Sequence, residues 1–319
     1  MRDADSSRFI RALKERDLPA IRQTPKSDLH NHFVLGGSRQ YIEEKTGIRI
    51  PAFQGVMSSI QDMHDWNQAY LGSRFDSTEL RKLLIEATFA QAKNDGVKVL
   101  EIGEDVWGLG AYFHHDISQL VDAFTAANRR IAPEITLRLQ IGLSRHCPVD
   151  YLLDCLAPFW GVEAFYSIDL SGDELAQPIE RFQPIYRLAK DNGLRLKAHI
   201  GEWGTAEDVY QGVELLGLDE VQHGLAAAES DRVIDYLIQN HIRLNLTPTS
   251  NLKLGRVPEM KRHPIQKLFR AGVDVTINSD DVLIFDSDVS KEYVRLFACG
   301  ALTAEELDAI RVNGLREMK

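Results

Sequence analysis

The sequence predicts a single (β/α)8 barrel of the TIM type with an extra helical lid after the first strand. Two observations lead there. Short apolar, β-branched runs alternate with stretches of helical period, and five of those runs end in clusters of polar and metal-binding residue types. The runs are 28–32, 98–103, 136–143, 165–170, 194–200, 220–224, 242–246 and 274–278. Eight strands with intervening helices in 319 residues fit a closed barrel better than an open doubly wound sheet, because no glycine-rich phosphate fingerprint follows the first run.

Taken in order, the first run ends in His30-Asn31-His32. Residues i and i+2 on a strand share a face, so His30 and His32 can bind one ion together while Asn31 points away. The plainer alternative is two strand-end histidines with no metal. The connection to the second run is too long for one helix and predicts helices over 40–46, 58–71 and 78–94. We assign residues 38–80 to a lid and entrance above the rim where such barrels place their sites. Met63, Trp66 and Tyr70 on its middle helix have the spacing of a packed helix face, more often core than ligand contact. Asn94-Asp95-Gly96, Asp191-Asn192-Gly193 and Ala271-Gly272 each place a glycine where a helix stops before a buried strand. The later clusters are His199-Ile200-Gly201-Glu202, Gln222-His223-Gly224, Thr247-Pro248-Thr249-Ser250-Asn251 and Ser279-Asp280-Asp281.

Composition is that of one large globular domain over 1–319, 44% hydrophobic and 26% charged, with no run of 18 apolar residues to span a membrane. The N-terminal 16 residues are charged throughout and lack the apolar core of a secretory signal. Cys147, Cys155 and Cys299 form no CxxC pair and read as packing residues in a reducing, cytoplasmic compartment. A net charge of −10 offers no basic footprint for a nucleic-acid backbone, though it leaves a neutral nucleoside open.

In a barrel the strand ends converge on one rim, which would bring His199 and Asp280 to His30 and His32. Three imidazoles and one carboxylate suit Zn²⁺ first, with Fe²⁺ or Mn²⁺ as alternatives, and leave room for a water whose pKa the ion lowers towards ~7. Glu202, three residues beyond His199, can carry a proton between that water and a substrate. Its plainer alternative is a surface or capping glutamate, since Gly204-Thr205-Ala206-Glu207 begins a helix. His223 could hold the activated water or stabilise developing charge, and Asp281 could accept a hydrogen bond from substrate or water.

These residues resemble the adenosine deaminase family of the amidohydrolase superfamily. The match runs in order through His30 and His32, the Asp169-Leu170-Ser171-Gly172-Asp173-Glu174 turn, His199 to Glu202, His223-Gly224, Pro248 to Asn251 and Ser279 to Asp281. The resemblance implies zinc held by His30, His32, His199 and Asp280, with Glu202 protonating the ring nitrogen beside the attacked carbon. It implies His223 orienting the hydroxide, Asp281 meeting both hydroxide and purine N7, and the Gly172 N–H meeting purine N3, where glycine lets the backbone approach. The expected reaction is hydrolytic deamination of a 6-aminopurine, adenosine or a modified adenosine, with a free aminopurine base such as adenine as the alternative substrate. A metal-binding barrel kept only for binding is the non-catalytic alternative, against which Glu202 argues. Binuclear hydrolases often need a lysine at the end of strand four, and Ser171-Gly172 stands there instead.

Two departures matter. The family usually has an acidic residue soon after the HxH, reaching the sugar; here Phe33-Val34-Leu35-Gly36-Gly37-Ser38 follows, with no carboxylate before Glu43. The contact is thus absent, or supplied from the lid by a residue such as Asp62 or Asp65. A Glu-x-Arg triplet common after the second strand is Glu101-Ile102-Gly103-Glu104 here.

Overall fold

The computed structural model describes residues 4–57 and 59–316. Eight parallel strands follow one another around a nearly closed barrel in sequence order. They are β1 Lys26–Asp28, β2 Val97–Asp105, β3 Thr136–Ser144, β4 Phe165–Ser171, β5 Arg195–Ile200, β6 Glu220–His223, β7 Arg243–Leu246 and β8 Asp274–Ile277. The expected fold is the observed one. The glycines expected at helix stops adopt the left-handed conformation, with φ +74° at Gly96 and Gly193 and +106° at Gly272.

The first strand differs from expectation. Pairing with β2 ends at Asp28↔Leu100, so His30 and His32 lie beyond the strand rather than on it. The chain has by then changed partner: Asn31 forms an isolated parallel bridge with Asp280, and the Asp280 N–H donates to the His30 carbonyl at 2.9 Å. Side chains close this seam. Asn278 Oδ1 accepts from the Leu29 N–H at 2.8 Å, and Asp28 accepts from the Ser279 N–H at 3.1 Å and hydroxyl at 2.5 Å. The place where the barrel shuts is therefore also where His30, His32, Asp280 and Asp281 leave the backbone.

The barrel interior is unusually polar. Lys197, fully buried on β5, donates to the Leu29 carbonyl at 2.7 Å and to Glu101 Oε1 at 3.0 Å, with Glu220 Oε2 at 3.7 Å. Burial works against this ammonium, but the two carboxylates outweigh it and hold its pKa above the ordinary lysine value. Glu101, the first residue of the departed triplet, thus serves the core and not the cavity. Lys197→Met would leave two buried carboxylates without their cation, and we expect thermal denaturation to show a loss of about 3–5 kcal/mol.

Outside the barrel, the N-terminal helix Ala4–Glu15 buries Phe9, Ile10 and Leu13. It is tied to the C-terminal helix Ala304–Leu315 by Lys14–Glu305 at 2.8 Å and by Arg311, which reaches the Ser6 hydroxyl. This charged segment is an amphipathic packed helix. The three cysteines are unpaired and half-buried against the core, and among the described residues no helix is long and apolar enough to cross a membrane.

Between β1 and β2 run the helices Arg39–Thr46, Ile60–Tyr70 and Thr78–Asn94. Ser58, the expected start of the middle one, lies outside the described residues. Ser59 and Asp62 cap that helix reciprocally. Trp66 is buried as a core residue, whereas Met63, one turn earlier, faces the cavity described below. The last helix is anchored by Arg81, whose guanidinium grips buried Glu104 of β2 with two hydrogen bonds, the Nε one at 2.6 Å.

Candidate functional site

Every residue expected in the site stands on the C-terminal rim of the barrel around one cavity of 630 Å³, except His30, which is sealed beneath it. His30, His32 and His199 offer ligand atoms within 4.8 Å of one another, as do His30, His223 and Asp280, and His32 with the two aspartates Asp280 and Asp281. His32 Nε2 faces His199 Nε2 at 3.2 Å, and Asp280 Oδ1 lies 3.5 Å from His32 Nε2 and 3.8 Å from His30 Nε2.

Second partners set which ring nitrogens point inward. His30 Nδ1 meets the Asn245 carbonyl at 3.1 Å and His199 Nδ1 meets Asp169 Oδ1 at 3.3 Å, so both rings keep Nδ1–H and turn an Nε2 lone pair to the cluster. Burial, and then the neighbouring imidazoles, hold His30 and His32 below the ordinary histidine pKa, in the neutral form a metal requires. For His199 burial is outweighed by the Asp169 carboxylate, which keeps its pKa raised and its Nε2 a stronger donor.

The chemistry of these donors fits a metal ion. Two imidazole nitrogens facing at 3.2 Å need a shared proton or a cation between them, and two nitrogens each ~2.0–2.1 Å from a tetrahedral Zn²⁺ stand roughly 3.3 Å apart. His30 Nε2 is buried without a hydrogen-bond partner, which is costly unless something else engages it.

Glu202 sits beside this cluster with its side chain nearly buried. Its Oε1 accepts from Asn251 Nδ2 at 3.0 Å and lies 3.4 Å from His223 Nδ1. Burial, then the negative charge of Asp280, pushes its carboxyl up to about 8, so it can hold a proton at neutral pH. A divalent cation nearby would draw that value down. Asp281 is raised well above the carboxylate range for the same two reasons, and its Oδ1 is buried without a partner. His223 and Asp280 both adopt positive φ, +62° and +59°, a left-handed conformation that His and Asp tolerate better than most residues and that His114, His115, His241 and Asp286 also hold. Gly172 has φ +87°, and an added Cβ there would meet nothing nearer than 3.5 Å, so the backbone conformation rather than crowding selects glycine.

Several residues to which sequence reasoning gave no role complete the site. Asp169 orients His199; Thr247 and Asn251 hold His223 Nδ1 at 3.0 and 3.3 Å; His263 fixes Asn251 at 3.1 Å. Asp169, Thr247 and Asn251 lie inside the recognisable clusters, which was their one signal. Asp62 and Asp65 do not line the cavity; Asp62 caps its helix and Asp65 accepts from Gln61. The carboxylates that do line it beyond the cluster are Asp105, at the end of β2, and Asp76.

A (β/α)8 barrel with this rim is the architecture of a metal-dependent hydrolase. Residues 25–318 match the profile of the family described as Adenosine deaminase. The chain belongs to the adenosine deaminase family. It is 31% identical over 299 residues to the "Putative adenosine/adenine deaminase" of Treponema pallidum (strain Nichols), covering 93% of this chain and 100% of that one. Among solved structures, the adenine deaminase from Arthrobacter aurescens superposes with a TM-score of 0.77 at 23% identity, covering 91% of this chain and 92% of that chain. An Arabidopsis N6-mAMP deaminase gives 0.74 at 18%, with 92% of each chain covered. At these identities the two structures share its fold.

Proposed function

We propose that the protein hydrolyses the exocyclic amine of a neutral 6-aminopurine nucleoside, adenosine or a modified adenosine, to the 6-oxo product and ammonia. The observation that carries this is the nearly buried Glu202 carboxyl, 3.4 Å from His223 and beside three converging imidazoles and Asp280 at the floor of one cavity. His30, His32, His199 and Asp280 would hold a single Zn²⁺. Such an ion, when bound, supplies acidification of a water towards a pKa of ~7. Glu202 gives its proton to the ring nitrogen beside the attacked carbon, His223 takes one proton from the incoming water, and Asp281 orients that water by hydrogen bonding. Both water protons are accounted for: the one taken by His223 passes to Glu202, 3.4 Å away, and restores the proton given to the ring, and the other leaves from the new hydroxyl with the departing amine as ammonia. The Gly172 N–H reads purine N3, and Asp281 reads N7.

A nucleoside fits better than a base or a nucleotide. The 630 Å³ cavity is several times the volume of a purine base. Its one lysine or arginine among the described lining residues, Arg81, is engaged with Glu104, while Asp76 and Asp105 face the same space. A 5′-phosphate would meet like charge and no free fixed cation. Like-charge contact costs several kcal/mol, so we expect AMP to be deaminated at least ~10²-fold less efficiently than adenosine in kcat/KM.

The absence of a carboxylate just after His32 suggests tolerance at the 5′ position. We expect 5′-deoxyadenosine and 5′-thioether adenosines within roughly tenfold of adenosine in kcat/KM, a gap of about 1.4 kcal/mol. Ammonia release from these substrates, with adenine alongside, tests the reading on one zinc-loaded preparation. No release from adenosine would overturn it, and a several-hundred-fold preference for adenosine over the 5′ analogues would assign a sugar contact to Asp105 or Asp76.

A further inference from the structure

Glu174 is buried on the loop that leaves β4, two residues after Gly172, and it has no part in the chemistry above. Its carboxylate does not point at the cavity. Oε1 accepts from the Gly201 N–H at 2.5 Å, and Oε2 accepts from the Glu202 N–H at 3.0 Å and the Trp203 N–H at 2.8 Å. Three successive backbone donors of the loop after β5 thus converge on one side chain, a concavity of the kind that elsewhere binds free anions. A buried carboxylate is costly unless charge-assisted hydrogen bonds satisfy it, and these three do so.

The loop is built around this contact. A Cβ on Gly204 would come within 2.5 Å of Glu174 Oε1, and Gly201 holds φ +75° with a Cβ position 2.3 Å from Val209 Cγ2. The consequence falls on Glu202. Its backbone N–H is held by Glu174, its side chain by Asn251 Nδ2, and both neighbours in sequence are tied to the same carboxylate. The Glu174 loop begins with Gly172, which lines the cavity. One side chain therefore locks two rim loops, the one that would read the purine ring and the one that would protonate it.

We propose that Glu174 is a positioning residue for proton transfer, setting the Glu202 carboxyl at the height of the ring presented by the Gly172 loop. This rests on the reading of Glu202 as proton donor. A misplacement of about 1 Å at such a group can cost ~10² in rate with little change in ground-state binding.

The test is a double-mutant cycle on the zinc-loaded enzyme with adenosine, using Glu174→Ala, Glu174→Gln, Glu202→Gln and the Glu174→Ala/Glu202→Gln pair. Glu174→Ala is expected to lower kcat by ~10- to 100-fold, with KM, the inhibition constant of inosine and the bound metal within about threefold of wild type. Glu174→Gln, which keeps one acceptor oxygen, should recover part of the loss. The pair should be no slower than Glu202→Gln alone, because the acid being positioned is already gone. Amide hydrogen exchange at Gly201, Glu202 and Trp203 should speed by at least ~10-fold in Glu174→Ala, and this reads the clamp whether or not the enzyme is active. Losses that multiply in the pair, a rise in KM matching the fall in kcat, or unchanged exchange at those amides would each overturn the proposal. If Glu174→Ala does not fold, Glu174→Gln carries the same cycle. Normal kcat in Glu202→Gln would instead remove the proton-donor reading, while the exchange result still reports on the clamp.

Discussion

Replacing Glu202 with glutamine should lower kcat by at least ~10² while the bound metal stays in place. Glutamine keeps the length of the side chain and an acceptor for Asn251 Nδ2, so the packing around His223 and Asn251 need not change. What it cannot do is release a proton. Burial and the charge of Asp280 push the native carboxyl up to about 8 and a cation bound beside it draws that value down, so the group can both hold and release a proton, and general acid–base groups typically contribute 10²–10⁴-fold. Steady-state kinetics with a metal assay on the same sample check this. Near-normal kcat would reduce Glu202 to a structural residue of the loop.

Replacing His199 with alanine should strip most of the metal from a protein that otherwise carries about one transition-metal ion per chain. His199 Nε2 stands 3.2 Å from His32 Nε2, and its ring is aimed by Asp169 from the opposite side, so the mutation removes a donor and leaves Asp169 Oδ1 without its imidazole partner. Activity should fall with occupancy. Stability should fall too, because a ligand present at 100 times its Kd stabilises the folded state by about 2.7 kcal/mol and that contribution disappears with the site. Elemental analysis and thermal denaturation of wild type and mutant, each before and after chelation, give both quantities. Full metal content in the mutant would remove the premise of the site.

The barrel and most of the rim were legible without coordinates. Strand and helix periods, and glycines such as Gly96, Gly193 and Gly272 at helix ends, are set by residues within a few positions of each other, and these local rules agree around the whole chain. The histidines and acids of the rim announce themselves because few soluble folds place so many potential ligands at successive strand ends. The N-terminal helix carried no such mark: its Phe9, Ile10 and Leu13 are spaced among charges and acquire meaning only against the C-terminal helix.

From the sequence alone came the fold class, the order of the clusters and the residue types that could hold a metal and move a proton. Only the tertiary structure decided how those groups are held. Asp28 meets Ser279 across 251 residues of chain to close the barrel, Asp169 aims His199 across 30, Glu174 clasps the Glu202 loop across 28, and Asp105 rather than Asp62 or Asp65 faces the cavity. A side chain's periodicity says which way it faces, but the partner that satisfies a buried charge is fixed by which strands become neighbours when the barrel shuts. That is a long-range outcome of packing, with no local pattern to mark it.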